Sequence, residues 1–195
     1  MTYTDLQLDG LREIINIGGG HAATSISMMV NRTIDMRVPE VEILSYDKLY
    51  EQILAENEEV YAVVSQILGD VRGVFLFVLT NSAADKMTEF MVGTSDFTDE
   101  VKYSAVNELT NIVSNSFLGA IGSFLNNQLI SSLPVIQYDY FGAIISSVYM
   151  ELNQFDDQIM VIRNEFTYDE DKLDASLFFI PETGVIEKFL TTLGI

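Results

Sequence analysis

The stretch Asp9-Gly-Leu-Arg-Glu-Ile-Ile-Asn-Ile17 is matched 95 residues later by Ser104-Ala-Val-Asn-Glu-Leu-Thr-Asn-Ile112, which repeats its glutamate, asparagine and final isoleucine at the same spacing. Each copy is followed at the same distance by a proline, Pro39 or Pro134, and the chain holds only 3 prolines. The chance that a proline occupies the matching position after both copies of the motif is on the order of one in several thousand for a sequence of this composition. The sequence therefore predicts an internal duplication, with repeats at about 5–93 and 99–194 within one domain spanning 1–195.

The predicted elements come in the same order in both halves: a long helix, extended segments, a helix, two adjacent strands and a closing helix. In the first half these are a helix over 6–31 capped by Asp5, extended pieces at 34–39 and 41–44, a helix over 47–55, strands at 60–68 and 73–79, and a helix over 81–92 capped by Asn81. In the second half they are a helix over 99–127, an extended piece at 129–134, a helix over 139–152, strands at 158–168 and 173–180, and a helix over 181–193. Adjacent strand pairs without crossover helices indicate antiparallel hairpins. We expect an α+β domain with pseudo-twofold symmetry, whose mixed or antiparallel sheet is covered by the two long helices.

The composition and net charge of the chain exclude several classes of function. The chain has 195 residues, no cysteine and a net charge of −19, from 10 basic and 29 acidic residues. Such a surface repels nucleic acid and anionic membranes, and the absence of cysteine excludes disulfides and thiolate chemistry. No signal peptide or membrane-spanning run is predicted, so we expect a cytoplasmic protein with a basic or neutral partner. Internal pseudosymmetry supplies the pairing of a homodimer, which favours a monomer.

The repeated motif places polar side chains on one face of each long helix. Positions 9, 13 and 16 fall within about 60° of one another, opposite an apolar face, and so do 104, 108 and 111. A solvated helix face is the simplest explanation for one such stripe. Its duplication favours a functional role, because solvation alone does not require Glu followed by Asn in the same register, and Asn is a mediocre helix former.

Glu and Asn side by side contain no nucleophile, histidine base or metal cluster, so they make a poor active site alone. A carboxamide both donates and accepts hydrogen bonds, so it can hold a water in line with a partner's electrophile. A neighbouring carboxylate can pair with a lysine of that partner. The motif thus predicts a helix that completes a site on another protein.

The segment Leu11-Arg-Glu-Ile-Ile-Asn-Ile-Gly-Gly-Gly-His-Ala-Ala-Thr-Ser-Ile-Ser27, with Glu108-Leu-Thr-Asn-Ile112 and both prolines, resembles the CheC family of chemotaxis phosphatases. CheX and FliY are relatives in that family. The resemblance implies hydrolysis of the aspartyl phosphate on the response regulator CheY. The alternative is an adaptor that binds phosphorylated CheY, CheD or the flagellar switch without turnover, and a third is a structural domain of a motor assembly.

The same resemblance implies a role for each member of the two stripes. The asparagines would orient the attacking water, the glutamates would pair with the regulator's lysine, and the residues at the start of each stripe would be accessory. Magnesium would come from the regulator, so no cofactor is expected in this chain. The implied site residues are Asn16 and Asn111, Glu13 and Glu108, and Asp9 and Ser104.

A second implied partner is the receptor deamidase CheD. Relatives that bind it carry an Asp-x-x-x-Ala-Ile pattern after the second proline, and Asp139-Tyr-Phe-Gly-Ala-Ile144 matches it. We predict Asp139, Ala143 and Ile144 as contact residues. The other interpretation is a helix N-cap followed by core residues.

Three glycines, Gly18 to Gly20, interrupt the first long helix where relatives have Gly-x-Gly-Asn. Either the helix breaks there or a second backbone approaches closely. Gly119 and Gly122 in the second helix favour close approach, and a phosphate-binding loop is disfavoured because no strand precedes it. His21 lies about 140° around the helix from Asn16, and we interpret it as a structural residue.

Overall fold

A computed structural model describes residues 4–31, 33–69, 72–126, 129–152, 158–168, 171–182 and 184–194. Its elements follow the predicted order closely. They are α1 (Asp5–Val30), β1 (Asp35–Ser45), α2 (Tyr46–Gln52), β2 (Glu59–Gly69), β3 (Gly73–Thr80), α3 (Asn81–Val92), α4 (Asp99–Leu125), β4 (Leu129–Ser131), β5 (Val135–Tyr140), α5 (Phe141–Leu152), β6 (Gln158–Tyr168), β7 (Asp171–Pro181) and α6 (Val185–Leu193). Within these described ranges, no helix combines the length and the apolar character needed to cross a membrane.

The strands form one seven-stranded sheet in the order β1-β6-β7-β3-β2-β4, with β5 also pairing with β2. Each strand pairing is antiparallel, which confirms the predicted α+β class. The two hairpins, β2–β3 and β6–β7, meet at the β3–β7 pair. Strand β1 of the first half pairs with β6 of the second half, and β4 and β5 of the second half pair with β2 of the first half. A two-fold repeat would produce this exchange; the symmetry itself stays a prediction.

The two matched prolines lie at matching interruptions of the sheet edges. Pro39 falls in β1 where the register with β6 shifts between Arg37 and Glu40, and Pro134 falls between β4 and β5. Proline has no backbone N–H to donate to a ladder, so each position interrupts strand pairing.

Helices cover both faces of the sheet. One core cluster joins the sheet to α1, α3, α4 and α6, and a second joins it to α2 and α5. Central strand β3 is buried on both sides, with Phe75 and Phe77 in the first cluster and Leu76 and Val78 in the second. We predicted that two long helices cover the sheet, and that prediction omitted the layer formed by α2 and α5 on the other face.

Two helix N-caps lie one residue before the predicted ones. Thr4 caps α1 in a capping box, in which its side chain accepts from the Gln7 N–H at 3.3 Å while the Gln7 side chain accepts from the Thr4 N–H at 3.0 Å. Thr80, at the end of β3, caps α3 by accepting from the Ala83 N–H at 3.3 Å. The N-caps of both helices are therefore threonine side chains, whereas we expected Asp5 and Asn81 in this role.

The predicted helices over 139–152 and 181–193 both begin later. Asp139 lies in β5, opposite Val60 of β2, and α5 starts at Phe141. Pro181 ends β7 opposite Gly73, and α6 starts at Val185. In both places, pairing with a neighbouring strand extends the sheet over residues whose local sequence is also compatible with a helix start.

Candidate functional site

The stripe on α1 faces outward. Asp9, Glu13 and Asn16 are exposed, whereas Leu11 and Ile15 on the opposite face are buried in the first core cluster. The helix is fixed on the sheet by this apolar face. The carboxylate of Glu13 and the carboxamide of Asn16 are thereby held where another molecule can reach them.

Asp9 has a partner that the sequence did not indicate. Its Oδ1 accepts a hydrogen bond from Arg12 Nη1 at 2.9 Å, one helical turn away. Asp9 is largely exposed and Arg12 is partly exposed, so this is a surface ion pair of small net stability. The Asp9 carboxylate is therefore already engaged in a hydrogen bond. Ser104, which occupies the same place in the second motif, is also exposed.

The stripe on α4 repeats the outward pattern with one difference. Ser104 and Glu108 are exposed, but Asn111 is half-buried. On the opposite face Val113 and Phe117 are fully buried. Equal spacing in sequence has thus produced two similar faces with unequal exposure of the carboxamide.

The two long helices pack closely at Gly18. A Cβ atom at this position would lie 2.9 Å from Cα of Phe117, so only glycine fits. The helix runs unbroken through Gly20, where a Cβ would meet nothing within 4 Å. The close-approach prediction therefore holds at Gly18 and is wrong at Gly20 and at Gly119, which also has open space around it.

An open groove of about 620 Å³ follows the α1/α4 junction beside Asn111. Its walls come from both long helices. They are His21, Thr24 and Ser25 of α1, and Glu108, Asn111, Ile112, Asn115, Ser116 and Gly119 of α4. The groove joins residues of the two predicted repeats in one site, a juxtaposition that inspection of each helix alone could not reveal.

His21 does not occupy the structural position that we assigned to it. Its side chain is exposed, lies outside both core clusters and lines the groove that contains Glu108 and Asn111. The angle of about 140° that separates it from Asn16 on α1 directs it toward α4. The signal that could have located it is the glycine triplet, which brings the helices together just before it.

Lys102 anchors the start of α4. It is buried, pairs with Asp85 of α3, donates to Asn81 Oδ1 at 3.4 Å and lies 5.4 Å from the centre of the Tyr61 ring. Burial alone would lower the pKa of Lys102, but the hydrogen bond to Asp85 and the neighbouring Tyr61 outweigh it and raise the pKa. This anchor fixes the helical turn that precedes Ser104.

The three residues of the predicted CheD pattern lie in different environments. Asp139 is exposed on β5, where its Oδ1 accepts from the Tyr140 N–H at 2.7 Å, and Ala143 is exposed on α5. Ile144 is only 1% exposed and belongs to the second core cluster, so its side chain is not available to a partner. A cavity of about 470 Å³ lies beside Ala143. Its lining is Glu56, Asn57, Tyr140, Gly142, Ala143 and Ser146.

Comparison with known proteins gives a family match and sequence relatives, one of them over nearly the whole chain. A model of the CheC-like family matches residues 6–43, which include the first motif and its proline. The chain is 33% identical to the CheY-P phosphatase CheC of Bacillus subtilis, over 96% of this chain and 94% of that protein. It is also 24% identical to the flagellar motor switch phosphatase FliY of Bacillus subtilis, over 69% of this chain but only 36% of that protein.

Solved structures share the fold at lower identity. FliY of Thermotoga maritima superposes with a TM-score of 0.80 at 21% identity, covering 100% of this chain and 98% of that one. The FliM middle domain from H. pylori superposes with a TM-score of 0.72 at 10% identity, covering 97% and 99%. At these identities the superpositions show the shared architecture alone.

Proposed function

The chain belongs to the CheC-like family, and we propose that it is a chemotaxis phosphatase that hydrolyses the aspartyl phosphate of the response regulator CheY. The proposal is supported by the 33% identity, over nearly the full length of both chains, to a protein named as a CheY-P phosphatase. It is further supported by the outward Glu–Asn pairs on two well-packed helices, which are suited to complete a partner's site.

In the proposed mechanism each stripe enters the regulator's phosphorylation site. Asn16 or Asn111 holds a water in line with the phosphorus, and Glu13 or Glu108 pairs with a lysine of the regulator. The water attacks phosphorus, the bond to the aspartate oxygen breaks, and inorganic phosphate and the free carboxylate are released. Magnesium belongs to the regulator, and no residue of this chain is assigned to hold it. The catalytic contribution is positioning together with electrostatic stabilisation.

The observation that carries this proposal is the accessibility of both Glu–Asn pairs. Glu13, Asn16 and Glu108 are exposed, and Asn111 opens onto a groove. A carboxamide that positions a partner's water must reach beyond its own helix, and a sealed core position could not do so. In the proposed complex, the exposed Asp9 and Ser104 at the start of each stripe contact the rim of the docked partner.

The direct experiment replaces both asparagines and measures loss of phosphate from phosphorylated CheY. We expect Asn16→Ala with Asn111→Ala to lower the rate about 100-fold or more, since positioning of the attacking water is lost. The control is Asn57→Ala, an exposed asparagine away from the two long helices. A double variant with wild-type activity would overturn the mechanism.

A non-catalytic adaptor is the alternative to an enzyme. It would bind phosphorylated CheY, and at most protect the phosphate. Dephosphorylation of excess CheY by a substoichiometric amount of this protein would support the enzyme. An unchanged or slower loss of phosphate from CheY would support the adaptor.

We also propose CheD as a second partner, bound at the surface that includes Asp139 and Ala143. Both are exposed, and Ala143 lines the cavity of about 470 Å³. Asp139→Lys and Ala143→Arg should each weaken CheD binding in a pull-down or calorimetric titration. Unchanged binding by both variants would exclude this surface.

A further inference from the structure

The groove beside Asn111 contains a histidine supplied by the other long helix. His21 belongs to α1, while Glu108 and Asn111 belong to α4, and all three line the same open space. The only histidine of the chain is therefore next to one of the two proposed catalytic pairs. Among the lining residues of this groove, it is the single one that can carry a positive charge.

The packing at Gly18 explains how His21 reaches that position. The absence of a side chain lets α1 contact the backbone of Phe117. Beyond this contact α1 continues through His21 to Ser25, and these residues face Glu108 and Asn111, which precede Phe117 in α4. The helices therefore pass in opposite directions, and a residue that follows the crossing in α1 lies beside the motif that precedes it in α4.

Two of the three hydroxyl groups that line the groove are already used within the helices. Thr24 donates to the Gly20 carbonyl at 2.9 Å, and Ser116 donates to the Ile112 carbonyl at 2.8 Å. These bonds occupy the donors that would otherwise bind an oxyanion. In the part of the chain that the structure describes, no hydrogen bond or ion pair involves the His21 side chain, so its N–H is available to a visiting molecule.

The repeated motif provides no equivalent residue for the first pair. Position 21 corresponds to position 116 under the shift of 95 residues, and position 116 is a serine whose hydroxyl already donates to Ile112. The two motifs therefore differ in sequence at this position: α1 contributes an imidazole to the groove beside Asn111, whereas α4 has a serine at the corresponding position.

We propose that His21 is a substrate-binding residue of the Asn111 site, whose imidazole N–H donates a hydrogen bond to a phosphoryl oxygen of the docked acyl phosphate. The inference rests on the proposed function and deepens it. In this arrangement the Asn111 site is formed by residues of both repeats, and the Asn16 site is formed by residues of the first repeat. The contact forms when substrate binds and persists in the transition state, so its loss should raise KM more than it lowers kcat.

The experiment isolates each site before removing the imidazole. Asn16→Ala leaves only the second site, and Asn111→Ala leaves only the first. In the Asn16→Ala background, His21→Ala should lower kcat/KM for CheY phosphate about five- to tenfold, the range expected for one lost hydrogen bond. In the Asn111→Ala background the same substitution should change kcat/KM less than about twofold.

Two controls separate binding from packing. His21→Gln keeps an N–H donor and should restore kcat/KM to within about twofold in the Asn16→Ala background. Thr191→Ala removes an exposed hydroxyl of α6 that donates to the Glu187 carbonyl at 2.8 Å and lies outside the groove lining, so it should leave the rate unchanged. Because His21 is exposed, thermal unfolding should be almost the same for all of these variants.

Several results would overturn the inference. These are an unchanged kcat/KM on His21→Ala in the Asn16→Ala background, an equal loss in both backgrounds, no recovery with glutamine, or an Asn16→Ala protein that is already inactive. Failure of the proposed function gives a different result, because wild-type protein would then not accelerate phosphate release from CheY at all. Failure of the Glu–Asn mechanism alone would leave the Asn16→Ala, Asn111→Ala double variant with wild-type activity. An inactive double variant together with a neutral His21→Ala would reject the His21 role alone.

Discussion

The two copies of the Glu–Asn motif share a spacing but not an environment. On α1, Asn16 is exposed, and the accessory Asp9 is bound to Arg12 of its own helix. On α4, Asn111 is half-buried in a groove that α1 completes, and the helix start is anchored by Lys102 to α3 and β2. The first pair therefore depends on local helix geometry, and the second depends on contacts between distant segments. Changes to tertiary contacts should affect the second pair more.

The largest expected effect comes from the crossing point of the two helices. Gly18→Ala introduces a Cβ at 2.9 Å from Cα of Phe117, and a backbone atom cannot move aside as a flexible side chain can. We expect the free energy of unfolding to fall by about 1–3 kcal/mol. Separation of the helices should also impair the Asn111 site more than the Asn16 site. Denaturant unfolding and single-site phosphatase assays measure both effects.

Gly20→Ala is the matched control for that substitution. It lies in the same helix with open space around it, so alanine should raise the free energy of unfolding by about 0.5–1 kcal/mol. Destabilisation by both substitutions to the same extent would contradict the close packing at Gly18.

The next effect tests the anchor of α4. Lys102→Met keeps most of the aliphatic stem but removes the charge that pairs with Asp85, so the free energy of unfolding should fall by about 1–2 kcal/mol. Asp85 is 46% exposed and can be rehydrated, which limits the loss. A Lys188→Met control, at an exposed lysine of α6, should have a smaller effect. An equal effect of both substitutions would show that Lys102 is not a special anchor.

The anchor also predicts a pH dependence at the alkaline end. The pKa of Lys102 is raised from 10.5 in the folded protein, so the folded state holds its proton more tightly than the unfolded chain does. The stabilisation is therefore complete below about pH 10.5 and is lost as the pH rises through the folded pKa. The difference in unfolding free energy between wild type and Lys102→Met should be constant up to about pH 10 and shrink above it. A difference that grows with pH would contradict the assignment.

The smallest effect is expected at the surface ion pair of α1. The side chains of Arg12 and Asp9 are 38% and 65% exposed, and exposed pairs of this kind contribute about 0–0.5 kcal/mol. Arg12→Lys should therefore leave the unfolding free energy nearly unchanged. Its effect on the Asn16 site in an Asn111→Ala background should also be small. A loss comparable to that of Lys102→Met would mean that the two helices are anchored in similar ways.

Much of the fold followed from local patterns. The hairpin strands, the long helices and the outward stripes agree with the predicted positions because apolar spacing, glycine C-caps and β-branched runs act over short distances. The helix at 139 was mispredicted because Val135–Tyr140 pairs with β2, and no local signal identifies that partner. The second helical layer was missed because the short helix α2 and the later helix α5 share their core cluster only after the chain has folded.

The sequence by itself determined the duplicated motif, the periodicity that turns Glu13, Asn16 and Glu108 outward, and the acidic, cysteine-free character of the surface. Each of these properties depends on residues a few positions apart or on composition. The tertiary structure alone decided that Gly18 meets Phe117, that Lys102 links α4 to Asp85, and that His21 lies beside Asn111. Those contacts join residues separated by up to about a hundred positions, and helix periodicity specifies which way a side chain points on its own helix but not which helix lies opposite.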